Sequence, residues 1–194
     1  EPGELVAWHG ALQRELAGME TAAADLGSLR TQVAAALAAY QEQARRLTAA
    51  RVTAARALGA AVTRRMQELG MAGGNFIAEV APLDGSEPAA HGADRVEFRV
   101  STNPGQPPRA VAKIASGGEL ARLSLAVQVC CARNAAPCMV FDEVDAGIGG
   151  AVAEIVGREL RGLGAAGQAV CVTHLAQVAC QGHQHLRVAK LTDG

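Results

Sequence analysis

Cys138-Met139-Val140-Phe141-Asp142-Glu143 is the stretch from which the fold of this chain is read. Four apolar residues ending in two acids place Asp142 and Glu143 at the carboxyl end of a buried strand, where open α/β sheets bind ligands. On either side the pattern alternates. Upstream, an apolar helix is predicted from about Gly118 to Asn134. Downstream come a helix over about Ala151 to Leu163, a strand from Ala169 to Thr173, a short helix near Leu175 and a strand from Leu186 to Ala189. Such alternation with uninterrupted apolar strands predicts a parallel sheet covered on both faces. Between Phe76 and Ile114 the signals are strand and turn. Val96, Phe98 and Val100 alternate with Glu97 and Arg99, and Asp84-Gly85 and Asn103-Pro104-Gly105 read as turns.

Before the glycines at Gly73-Gly74 the texture is wholly helical, from about Glu4 to Leu69. Leu12, Leu16, Met19, Ala23 and Leu26, then Leu29, Val33, Leu37, Tyr40, Ala44 and Leu47, recur mostly at steps of three and four, the seam of a coiled coil. The spacing slips at Gly27-Ser28, where a helical hairpin is the alternative to one continuous helix. An unbroken helix would reach ~100 Å at 1.5 Å per residue and should project from a compact domain. Arg45, Arg46, Arg51, Arg56, Arg64 and Arg65 occur between Gln43 and Gln67, a stretch with no acid. On a helical projection Arg45, Arg46, Arg56 and Arg64 share one arc opposite Leu47, Leu58, Val62 and Leu69, a face on which duplex DNA could lie. Arg51 and Arg65 fall at or beside the apolar stripe, towards a partner arm.

Composition sets the bounds. Of 194 residues, 49% are hydrophobic and 19% charged, which excludes wholesale disorder. Aromatics are 3%, with Trp8 and Tyr40 the sole Trp and Tyr, so a core of Ala, Leu and Val is expected. No apolar run approaches the roughly 18–20 residues of a membrane helix. A net charge of −1 gives no bulk attraction to nucleic acid or membrane. The chain starts at Glu1 with no signal pattern and reads as a piece of something longer. Five cysteines lie in apolar stretches without metal spacing and read as buried thiols in a reducing cytosol. His183 and His185 lack a third metal ligand in view.

Three constellations carry chemistry. At the end of the Cys138–Phe141 strand, one carboxylate can hold Mg²⁺ beside a triphosphate while its neighbour orients or deprotonates a water. Ser116-Gly117-Gly118-Glu119 opens a helix whose free N–H groups and positive dipole end suit an anion, with the Ser116 hydroxyl as a further donor. Thr173-His174 follows a strand directly, and a histidine there can bond a phosphate or a water. Each alone is also compatible with a strand end, a helix cap or a structural histidine.

Together, in this order and spacing, they resemble the ATP-binding-cassette head, with SGGE as the signature motif, the DE strand as Walker B and Thr173-His174 as the switch histidine. The long preceding helix resembles the SMC-like branch. Finer details resemble the RecN family of bacterial DNA-repair proteins: Lys113-Ile114-Ala115 before SGGE, Asp142-Glu143-Val144-Asp145-Ala146-Gly147-Ile148-Gly149-Gly150, and Thr173-His174-Leu175-Ala176-Gln177-Val178-Ala179. Residues 70–194 carry the resemblance closely, and 1–69 only as an arm.

The resemblance implies an α/β fold: the C-terminal lobe of a split ATPase head over 70–194, a mostly parallel sheet with flanking helices, preceded by a coiled-coil arm over 1–69. It implies ATP and Mg²⁺ as cofactors, with Asp142 holding the metal, Glu143 as general base and His174 contacting the γ-phosphate. Ser116, Gly117, Gly118 and Glu119 would meet ATP held by the other head of a homodimer, and Asp145 would lie in the loop linking the two sites. The acid that ends this loop in most cassette proteins is Gly149 here. A phosphate cradle needs GxxxxGK[ST]. The chain has two lysines, Lys113 and Lys190, and neither follows such glycines. The P-loop is therefore expected on an N-terminal head lobe outside this chain, which alone should be inactive. DNA is the expected partner, in double-strand-break repair in the bacterial cytosol. A chromosome-maintenance ATPase and a scaffold that hydrolyses nothing are the alternatives.

Overall fold

The computed structural model describes residues 2–83, 87–114, 116–131 and 138–189. Asp84-Gly85, Ala115, Asn134 and Lys190 fall outside them. Helix α1 spans Pro2–Glu68 and is followed by strands β1 (Asn75–Pro82), β2 (Asp94–Ser101) and β3 (Arg109–Ala110). A 3-10 turn over Val111–Lys113 leads to α2 (Gly117–Cys130). Then come β4 (Cys138–Phe141), α3 (Gly150–Ala166), β5 (Gln168–Cys171) and α4 (Ala176–Ala179). The chain divides into two compact units, Glu1–Ala50 with Pro82–Asp94, and Arg51–Ala81 with Arg95–Gly194.

In the first unit the helix runs through Gly27-Ser28 without a break, so the hairpin alternative is not realised. A glycine costs only about 1 kcal/mol relative to alanine inside a helix. The turn around it is also tied together, because the Thr31 hydroxyl donates to the Gly27 carbonyl at 3.0 Å and the Gln32 amide to Ser28 Oγ at 3.1 Å. The apolar seam from Leu12 to Leu37 is exposed. Farther along, Ala44 is buried, the Tyr40 hydroxyl accepts from the Ala89 N–H at 3.1 Å, and the Thr48 hydroxyl sits 2.8 Å from the buried Asp94 carboxylate. Arg45 pairs with Glu42 at 2.6 Å on the helix surface.

In the second unit α1 ends because Gly70 takes φ +82, a left-handed conformation that costs glycine nothing. The Met71 N–H then returns to the Met66 carbonyl at 3.0 Å and the Gly70 N–H to the Gln67 carbonyl at 3.3 Å, a Schellman closure with Met66 and Met71 both buried beneath it. The core forms around Val62, Met66, Leu69, Phe76, Leu125, Val144, Val156 and Leu163. Leucine, valine and alanine make up most of it, as the composition leads one to expect, with Met66, Met71, Met139, Phe76 and Phe141 filling the rest. Arg65 does not face a partner arm: its guanidinium donates to Glu68 at 2.8 Å and Glu159 at 3.0 Å, and these acids raise its pKa despite partial burial.

The three strands β1-β2-β3 form one sheet, with β2 and β3 antiparallel and Arg99 opposite Ala110. Of the alternating trio only Val100 is fully buried, while Phe98 stacks at 5.3 Å on Phe76 and remains half-exposed. Asn103-Pro104-Gly105 forms its turn, with Gly105 at φ +78.

Strands β4 and β5 pair in parallel, Met139 opposite Ala169 and Phe141 opposite Cys171, with α3 as the crossover. This is the α/β alternation expected from the sequence. Its cover differs, because Met139 and Phe141 face the core whereas Cys138 and Val140 face out, Val140 at 69% exposure. Uninterrupted apolar strands signal two faces able to be buried, and among the described residues helices cover one. Residues 186–189 form no strand, and Leu186 and Val188 are almost fully exposed. Apolar alternation gives a segment the capacity to pair, but a strand exists only beside a partner, and none meets it among the described residues. Cys131, Cys138 and Cys180 are exposed and all five thiols are free, so the expectation of buried cysteines fails for these three.

Candidate functional site

Every residue singled out for chemistry lies in the second unit. The loop after β4 is built by opposed demands. Val144 is fully buried and Asp145 nearly so, which pulls the middle of the loop inward and leaves Asp142 and Glu143 outside. The turn closes through the Ala146 N–H to the Glu143 carbonyl at 3.0 Å, with Gly147 at φ +72. Glu143 itself has φ +55, and it alone among the described non-glycine residues has a positive φ. Such strain persists only where the surroundings impose it. Its N–H donates to Asp142 Oδ1 at 2.9 Å.

Ser116 caps α2, its hydroxyl accepting the Glu119 N–H at 3.4 Å. The first-turn N–H groups of such a helix have no intrahelical acceptors and are open to an anion. Gly117 leaves room for the Glu143 carboxylate, which a Cβ there would have to displace. Gly118 is packed against the same loop, where a Cβ would stand 3.0 Å from both the Cβ and the carbonyl of Ala146. The helix start and the acidic loop are therefore in contact, although twenty or more residues separate them.

Two further ties hold this arrangement. Arg122, buried on α2, donates to the Ala146 carbonyl at 2.7 Å, and burial lowers its pKa. Its Nε is a buried donor with no acceptor among the described residues. The sequence reading missed Arg122; an arginine beside Leu123, Leu125 and Ala126 on the apolar face of a helix was the available signal.

Asp145 forms the other tie. Its carboxylate accepts the Thr173 hydroxyl in a short hydrogen bond and the His174 N–H at 3.2 Å, and it lies 3.5 Å from His174 Nδ1. Burial works against its charge, but the bonds from Thr173 and His174 prevail and hold the carboxyl below the ordinary range. The Thr173 hydroxyl also accepts the Leu175 N–H at 3.1 Å. The His174 ring is 76% exposed, with Nδ1 towards Asp145 and Nε2 therefore on the open side. Behind the site, burial and the charges of Asp145 and Asp142 push the Cys171 thiol up to about 11.

The three motifs are thus linked through the loop after β4, on which the α2 N-terminus packs, which carries the exposed Asp142-Glu143 pair, and whose Asp145 holds the exposed His174. Chemically the arrangement offers a carboxylate for a cation, a carboxylate for a proton, an imidazole and a helix start for an anion. His183 and His185 join no metal-ligating cluster among the described residues.

The chain is 45% identical over 191 residues to the DNA repair protein RecN of Xylella fastidiosa, covering 98% of this chain and 34% of that protein. It is 43% identical over 192 residues to RecN of Vibrio cholerae, with the same coverage. RecN of Deinococcus radiodurans is 40% identical over 187 residues, 96% of this chain and 33% of that protein. The chain spans about a third of the length of the curated relatives it matches. No family model matches. Among solved structures, an Smc head domain with a coiled coil and joint from Pyrococcus yayanosii superposes with a TM-score of 0.48 at 20% identity, covering 66% of this chain and 23% of that one. The Smc head domain from Pyrococcus furiosus bound to the C-terminal domain of ScpA gives 0.46 at 19% identity, with 65% and 30% covered.

Proposed function

From a chain that belongs by sequence with the RecN DNA repair proteins, we propose that it is the C-terminal lobe and adjoining arm of an SMC-like ATPase head. This head hydrolyses ATP between two copies and so gates DNA binding in double-strand-break repair. The observation that carries the reading is the contact of Gly117 with Glu143 beside the Asp145–His174 tie, which links three separate motifs through the loop after β4.

In this reading Glu143 accepts the proton of the attacking water. Its carboxylate lies against Gly117 at the start of α2. His174 presents Nε2 to the γ-phosphate while Asp145 orients the ring through Nδ1. Ser116, Gly117 and Gly118 offer hydroxyl and N–H donors to the γ-phosphate of ATP held by the second head, and Glu119 stands at the edge of that contact. Asp145 also fixes the loop between the two sites.

Asp142 fits a magnesium ion. It is an exposed hard oxygen donor that accepts the Glu143 N–H, and Mg²⁺ is commonly held by one or two carboxylates plus substrate phosphates. When bound, the ion would neutralise charge on the phosphates.

The sequence has no GxxxxGK[ST], so the phosphate cradle is assigned to an N-terminal lobe. The test is Mg-ATP turnover by the chain alone and with a RecN P-loop lobe added. No turnover alone and activity when combined is the expected result. Turnover by the chain alone would overturn the split-head reading, and inactivity of an assembled, nucleotide-bound pair would favour a scaffold.

A further inference from the structure

The first sheet carries a site that the ATPase reading does not use. Where β3 runs into the 3-10 turn, Glu97, Arg99, Arg109, Ala110 and Lys113 line an open cleft of about 360 Å³. Arg99 is anchored in its wall, donating to Glu79 at 3.0 Å and to the Pro108 carbonyl at 3.3 Å, yet its buried Nε has no acceptor among the described residues. Arg109 and Lys113 are exposed and form no ion pair among the described residues. Glu97 is the one acid in the lining, so cations outnumber it three to one. The apolar lining is a single alanine, and no aromatic ring is present for a base to stack on.

We propose that this cleft binds a backbone phosphate of duplex DNA, without reading sequence. Its chemistry is that of phosphate contacts, with two free cations for charge and one anchored guanidinium for geometry. A small free anion is usually enclosed by converging N–H donors, whereas here the free donors stand on an open rim, as a polymer requires. Lys113 lies three residues before Ser116, so a duplex held here touches the segment that enters the nucleotide-facing helix. The choice of DNA rests on the repair reading above; the anion site itself rests on the cleft.

The test is fluorescence anisotropy of a labelled duplex over a range of salt, with R109Q/K113Q compared against R158Q/R187Q, a control with equal charge loss. Circular dichroism verifies that the variants fold. Loss of that phosphate contact should reduce the log–log salt slope by about 0.9, while the control leaves it unchanged. Equal slopes for the two variants would overturn the site and leave the repair reading standing. No binding by the folded chain, or displacement of DNA by inorganic phosphate but not by chloride of equal ionic strength, would overturn the DNA assignment. ATP turnover in the combined lobes, measured separately, reports on the ATPase reading alone.

Discussion

Asp145 and His174, twenty-nine positions apart, are joined twice, by the histidine N–H on the carboxylate at 3.2 Å and by Nδ1 at 3.5 Å. The loop after one parallel strand is thereby fixed to the loop after the next. Asp145 is buried and charged while His174 is exposed, so the pair converts a rigid interior contact into a presented ring.

Asp145→Asn should cost about 1–3 kcal/mol at neutral pH, because the amide takes the place of a charged acceptor of two donors. The folded carboxyl titrates below its unfolded value. Its stabilisation is therefore full above the ordinary carboxylate range of about 4 and is lost as pH falls through the folded value. Urea melts of both proteins at neutral pH and near pH 3 check this. The gap between them should narrow in acid, and a gap independent of pH would show that the charge contributes nothing.

Neighbouring glycines should behave differently. At Gly117 an added methyl meets the far end of a flexible glutamate, so Gly117→Ala should leave stability within about 1 kcal/mol while displacing the Glu143 carboxylate. At Gly118 it meets backbone and the Arg122 contact, and Gly118→Ala should destabilise by about 1–3 kcal/mol. Thermal melts beside turnover assays in the combined lobes separate the two effects.

Glu143→Gln in the combined lobes should reduce turnover by about 10²–10⁴, the range for a lost general base, with nucleotide binding retained. ATP should then persist between closed heads and raise the dimer fraction, measured by light scattering. Ser116→Arg should block the dimer instead, since a bulky cation fills the anion-facing helix start. Wild-type turnover in Glu143→Gln would place the base elsewhere.

Replacing Arg45, Arg46, Arg56 and Arg64 by glutamine should weaken duplex binding about equally for all sequences and reduce the salt slope by up to about 3–4. The Arg45–Glu42 pair is surface-exposed and holds its arginine only weakly. An unaltered slope would assign these side chains to solvent.

What could be read from the sequence follows a physical division. Helix α1, strand β4 and the start of α2 were legible because periodicity, a bounded apolar run and a Ser-Gly-Gly-Glu cap are local signals. Asp142, Glu143 and Ser116 lay at a strand end and a helix start for the same reason, whereas β5 ends at Cys171 rather than at Thr173, so His174 sits in the loop beyond the strand and not directly after it. The ties between them were not legible. Arg122 to Ala146 and Thr173 to Asp145 join segments whose proximity only the folded sheet creates. Arg65 was misplaced because a helical projection cannot see Glu159, which approaches from α3. Residues 186–189 were over-read because alternation reports what a segment could do beside a neighbour. Gly70 was a local signal overlooked in favour of Gly73-Gly74, and it is what ends the helix.

The outward face of β4 and β5 has a consequence for the life of the chain in a cell. Val140, Val170 and Val172 are exposed on or beside a sheet that, among the described residues, has only two strands, and such surfaces invite association with the wrong neighbour. Synthesised in excess of whatever covers that face, the chain is open to that association.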